Sequence, residues 1–148
     1  MIKALYLPVM ISFSLVCGAV LSLFGGWTQA LSTLLVLLVL DYITGLMVAG
    51  IFHKSKKTDS GSLSSVAGLK GIAKKVASLV LVIVGYQMDK LLSITIIKDS
   101  VCIGLCVNEI ISLLENIGLM GVKYPSIVEK ALDILKDRVE NDSNISGS

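Results

Sequence analysis

The chain has 148 residues, of which 54% are hydrophobic and only 16% charged, and its mean hydropathy is +0.84. A soluble domain of this length would set polar faces between its apolar stripes; here apolar runs reach spanning length, so the class is an all-α integral membrane protein without a separate soluble domain. The net charge of +2 is too small to imply a nucleic-acid partner, and the placement of the charges says more than their sum.

Four transmembrane helices are predicted. The first covers about 4–24, with Pro8 near its start. A cleaved signal peptide is the rival reading, with Lys3 as its charged flank and Thr28-Gln29-Ala30 as a faint cleavage site; the apolar stretch is longer than a usual signal core, which favours an uncleaved span. Gly25-Gly26-Trp27-Thr28-Gln29 makes a short turn, with Trp27 suited to the membrane interface. The second span covers 30–52 and carries Asp41 near its centre. Thirteen Leu, Ile, Val and Phe residues supply about −4 to −8 kcal/mol of insertion free energy, and one Asp costs about +2.5 to +3.5, so this span inserts.

Residues 58–75 read as a short amphipathic cytoplasmic helix. Val66, Leu69, Ile72 and Ala73 recur at near-helical spacing, and Lys74 and Lys75 follow, placed to sit among anionic headgroups. A solvated linker is the plainer alternative. The third span, 76–97, carries Asp89 and Lys90 beyond its midpoint, and Lys98-Asp99-Ser100 turns the chain into the fourth, 101–122. Past residue 122 a C-terminal amphipathic helix is predicted within a cytoplasmic segment, 123–148, from the capping-box pair Ser126 and Glu129 and the stripe Val128, Ala131, Leu132, Leu135 and Val139. The membrane domain is then 1–122.

Lysine placement orients these spans. Lys54, Lys56, Lys57, Lys70, Lys74 and Lys75 lie between spans two and three, as basic residues expected at the membrane surface; with Lys3, Lys123, Lys130, Lys136 and Arg138 they put eleven of the thirteen basic residues on one side. The positive-inside rule therefore sets both termini in the cytoplasm.

The fourth span is marginal. Its eleven Leu, Ile and Val residues supply about −3 to −7 kcal/mol, while Glu109 and Glu115 remove about 5 to 7. Asn108, Glu109, Ser112, Glu115 and Asn116 fall within an arc of about 120° on one face. Carboxylates facing lipid are costly, so this face needs protein, protonation or water. Asp41, Asp89, Glu109 and Glu115 therefore line an aqueous opening or make assembly contacts; the alternative pairs them with Lys90 or with Ser and Thr hydroxyls inside one bundle. Small residues recur every fourth position at Ser14, Gly18 and Ser22, and again at Gly45 and Ala49, a spacing that serves either self-association or packing within the monomer.

No catalytic or cofactor-binding pattern is present. His53 is the only histidine and stands at a membrane boundary, and Cys102 and Cys106 share a helical face without further metal ligands, which fits buried, inert thiols. The expectation is a protein without enzymatic chemistry, metal or cofactor.

These residues resemble the clostridial toxin-secretion and phage-lysis holin family. The likeness runs from Asp41 onwards: Asp41 and Gly45 in DYITG, the Ser64-Ser65, Gly68 and Gly71 pattern leading into Lys74-Lys75-Val76, Asp89 closing the third span, and NEIISLLENIGLMGVKYP over 108–125. Lys123 departs from the proline often found there in relatives, and Met10 is the only early alternative start. The resemblance implies a homo-oligomer in the bacterial cytoplasmic membrane that opens large, non-selective lesions. Endolysin would pass through as a functional partner without necessary contact, and some relatives are linked to toxin release. A small cation channel or transporter, and a membrane scaffold recruiting a soluble partner through the C-terminal helix, are the alternatives.

Overall fold

The computed structural model describes residues 2–58, 60–123, 125, 126, 128, 130, 133 and 134. Among them the regular elements are all helical: α1 (Ile2–Leu23), α2 (Gln29–Gly50), α3 (Ser65–Leu92) and α4 (Ile97–Leu119). By length and composition, α2 and α4 can cross a membrane; the corresponding apolar stretch of α1, Pro8–Leu23, is shorter.

Element boundaries depart from the sequence reading around α3 and α4: the described residues of 58–64, predicted to open the amphipathic helix, are not helical, and the third span ends at Leu92 and not at 97. The amphipathic helix and the third span are one continuous helix, α3, whose 28 residues run about 42 Å. Nothing between Ile72 and Ala77 breaks it, because alanine and lysine are strong helix formers. Lys98, Asp99 and Ser100 form the first turns of α4 and not a connecting turn. The reason is Asp89: its two carboxylate oxygens accept the backbone N–H groups of Ile97 at 2.8 Å and Lys98 at 2.9 Å, satisfying donors that a helix start leaves orphaned. Ser93, in the left-handed conformation at φ 55°, ends α3 and reverses the chain between the two helices.

α2 packs chiefly against α4, and α3 packs against α4 with lighter contact to α2. The core they share is small. Leu31, Leu34 and Leu38 line one face of α2 and meet Val82 of α3 and Cys102 of α4. Thr28 caps α2, accepting the Leu31 N–H at 3.3 Å, and its hydroxyl reaches Asp99 of α4 at 3.4 Å. Outside this core much of the surface is apolar. Val66, Leu69, Ile72 and Val76 of α3 are all exposed, while Lys75 on the opposite side is drawn inward. α1 has no extensive interface with another helix, and most of its described large apolar side chains, among them Tyr6, Met10, Phe13, Leu15 and Leu23, are exposed.

Of the predicted C-terminal helix, Ser126, Val128, Lys130, Asp133 and Ile134 are helical, whereas Glu129, Ala131, Leu132, Leu135 and Val139 lie outside the described residues.

The α3–α4 hairpin closes at Gly85, where an added Cβ would stand 3.2 Å from the Lys98 backbone. Gly85→Val is expected to lower the unfolding free energy in detergent by about 1–3 kcal/mol through overpacking. Gly18→Val, where an added Cβ would meet no atom within 4 Å beyond its own stretch of helix backbone, should change it by less than about 0.5 kcal/mol. Parallel thermal melts of the two variants check this.

Candidate functional site

Lys75 is the centre of the polar interior. Its Nζ donates to Oδ2 of Asp41 at 2.8 Å and to Oε2 of Glu109 at 2.6 Å, so one ammonium of α3 joins carboxylates from α2 and α4. All three side chains are largely shielded, with exposures of 17% for Lys75, 7% for Asp41 and 14% for Glu109. Two carboxylates against one ammonium leave the group formally one charge negative. At this depth each charge has given up water, and only close, hydrogen-bonded pairing offsets that loss.

Asn116 completes the set. Its amide donates to the second oxygen of Asp41, Oδ1, at 2.9 Å and to the Thr44 hydroxyl at 3.1 Å. That hydroxyl in turn donates to the Leu40 carbonyl at 2.9 Å, the back-bonding open to threonine inside a helix. Both oxygens of Asp41 are thus engaged. No buried side-chain nitrogen or oxygen among the described residues lacks a hydrogen-bond partner.

The five polar residues of α4 divide within their shared arc. Glu109, Ser112 and Asn116 turn towards α2 and α3, with Asn116 buried; Asn108 and Glu115 are exposed at the outer margin. Asp89 stands apart from this group as the backbone cap of α4. Lys90 does not pair with the acids; its ammonium lies 5.7 Å from the ring centre of Tyr86, a cation–π contact. The lysine that pairs with Asp41 and Glu109 is Lys75, which the sequence reading places among headgroups. A signal for this exists in the chain: Lys75, Ser78, Val82, Gly85 and Asp89 recur at alternating spacings of three and four, the seam that α3 presents to its neighbours.

The small-residue stripes also separate. Ala49 is buried, and a Cβ added at Gly45 would stand 3.7 Å from the Asn116 amide, so this pair faces the interior of the single subunit. Ser14, Gly18 and Ser22 are exposed on α1. Of the predicted surface lysines, Lys54, Lys56, Lys57, Lys70 and Lys74 are exposed; Lys75 is not.

The triad borders a cavity of about 480 Å³ between the second half of α2, the connection 51–64, the first half of α3 and α4. His53, at the start of that connection, shares a 3.3 Å hydrogen bond with Ser62. Cys102 is buried in the apolar core, and Cys17, Cys102 and Cys106 are free thiols. Among the described residues no group of His, Cys, Asp and Glu could hold a metal ion.

Residues 18–137 match the model of the bacteriophage holin family. The chain is similar to an uncharacterized protein of Halalkalibacterium halodurans, 37% identical over 131 residues, covering 84% of this chain and 91% of the relative. It is similar to an uncharacterized 14.9 kDa protein of Clostridium perfringens, 36% identical over 118 residues, or 78% and 83% of the two chains. A probable holin of Bacillus phage phi105 is 26% identical over 127 residues, covering 82% and 88%. No solved structure matches the chain.

Removing the ammonium alone strands two shielded carboxylates. Lys75→Met is therefore expected to destabilise the folded protein by about 3–5 kcal/mol. Adding Asp41→Asn and Glu109→Gln to it should recover most of the loss, because neutral amides need no counter-charge. Thermal unfolding of the single and triple variants in one detergent measures the difference.

Proposed function

Since the chain belongs to the bacteriophage holin family, we propose that it gathers in the bacterial cytoplasmic membrane and opens large, non-selective lesions through which endolysin and other large proteins leave. The observation that carries the mechanism is the Lys75 bridge between Asp41 and Glu109. It gives the polar face of α4 an interior partner in the single subunit, so the protein can accumulate without harm. All four helices cross the membrane, the connection 51–64 and both termini lying in the cytoplasm.

Opening is a shift between two assemblies. In the closed one, Glu109, Ser112 and Asn116 face Asp41, Thr44 and Lys75, while Asn108 and Glu115 edge the outer side. In the open one, subunits gathered beyond a threshold density rotate the α4 arc towards water. Each ion pair then trades its partner for hydration. Such an exchange costs little, because the attraction within a shielded pair only roughly repays its desolvation. Neighbour contacts, among them the exposed Ser14–Gly18–Ser22 face of α1, tip the balance. No covalent chemistry enters, and endolysin needs no contact with the chain.

Induction in bacteria, followed by membrane potential and release of a large protein marker, tests the reading. Collapse of the potential with marker release is expected; sustained growth at normal potential with abundant protein in the membrane refutes it. Ion leakage without the marker would favour a small cation channel. Glu109→Gln, which leaves Asp41 as the sole charged partner of Lys75, should bring the collapse forward at equal membrane abundance.

A further inference from the structure

The cavity beside the triad meets three lysines that the triad does not use: Lys57 of the connection 51–64, and Lys70 and Lys74 of α3. On α3 the lining positions Ala67, Lys70, Gly71, Lys74 and Ser78 follow helical spacings of three and four, so they share one face. The opposite face of the same segment, Val66, Leu69, Ile72 and Val76, is exposed and apolar. A helix in water would turn the other way. In a bilayer this orientation sets the apolar face against acyl chains and collects the lysines around the cavity.

Among the described residues those lysines lack counter-charge. Lys57, Lys70 and Lys74 form no ion pair among the described residues, and the two acids bordering the cavity, Asp41 and Glu109, are both held by Lys75. Four lysines against two carboxylates leave the lining with an excess of two positive charges. Hydroxyls of Ser62, Ser64 and Ser78 add hydrogen-bonding groups, while Leu46, Leu63 and Leu119 supply apolar wall. The volume of about 480 Å³ falls within the ordinary range of ligand sites.

An anionic head and a hydrocarbon body meet both halves of this lining. We infer that the cavity binds an anionic phospholipid, its phosphodiester held by Lys57, Lys70 and Lys74 and its glycerol–acyl portion lying against Leu46 and Leu63. The lipid would wedge between the 51–64 connection and the helix pair α2–α4, beside the Asp41–Lys75–Glu109 group. The inference rests on the membrane placement proposed above, and on nothing about lesions.

Native mass spectrometry of the full-length protein, released from detergent micelles, tests it. Titrated with phosphatidylglycerol, the wild type should retain about one lipid per subunit, and phosphatidylcholine should leave at low collision energy. Lys70→Gln with Lys74→Gln should weaken phosphatidylglycerol retention about fivefold for each lysine. Lys54→Gln with Lys56→Gln, which removes equal charge outside the cavity lining, should leave it unchanged. Lys57→Gln alone, in the connection, should weaken it about fivefold and serves if the α3 pair melts early. Equal retention of both lipids, equal loss in the Lys54/Lys56 variant, or full displacement by inorganic phosphate or an acidic peptide overturns the assignment. Because leakage is not the readout, a failed lesion assay and a failed lipid titration are distinguishable.

Discussion

An ammonium group held between two carboxylates in a sparsely packed, apolar bundle constrains everything near it. Lys75 can reach Asp41 and Glu109 together only if α2, α3 and α4 stand in one register and one rotation. Apolar packing alone would allow these helices to slide or turn, since Leu against lipid and Leu against Leu differ little in free energy. The shared buried core is a handful of side chains, Leu31, Leu34, Leu38, Val82 and Cys102. Polar pairing, which is directional and costly to leave unmade, supplies the specificity that the core lacks.

The same logic repeats at the far end of the bundle. Asp89, in the last turns of one helix, caps the next, so a carboxylate that the sequence assigns to an aqueous opening or an assembly contact is satisfied by two backbone amides. Thr28 caps α2 and touches Asp99, tying the start of that helix to α4. Polar groups thus pin one end of the bundle and its middle, while much of the outer surface is left apolar. Gly85 permits the close approach on which the α3–α4 pairing depends.

Two regions stand outside this framework. α1 shares no extensive interface with the other helices, so it adds apolar surface without adding to the core. The first half of α3 reverses the polarity of a soluble helix, with lysines towards the cavity and Val66, Leu69, Ile72 and Val76 outward. Both are intelligible for a chain whose solvent is largely hydrocarbon, where the outward face must be apolar and charge must find company inside.

The helical class, the apolar segments and the family were legible in the sequence, because each depends on composition or short-range order: long apolar runs, 3.6-residue spacing, and fragments such as DYITG and NEIISLLENIGLMGV. The acidic face of α4 was legible for the same reason, since five residues on one helix share an arc whatever surrounds them. What faces that arc was not. Lys75 follows Lys74 in a basic stretch and reads as a headgroup contact; only the continuity of α3 past Ile72, and its rotation against α2 and α4, turn one of two adjacent lysines inward by about 100° and leave the other at the cavity edge. The role of Asp89 as a cap likewise needed the hairpin to bring it back upon Ile97 and Lys98. Spacing along one helix assigns a residue to a face; which neighbour meets that face is a property of three helices at once, and so belongs to the tertiary structure.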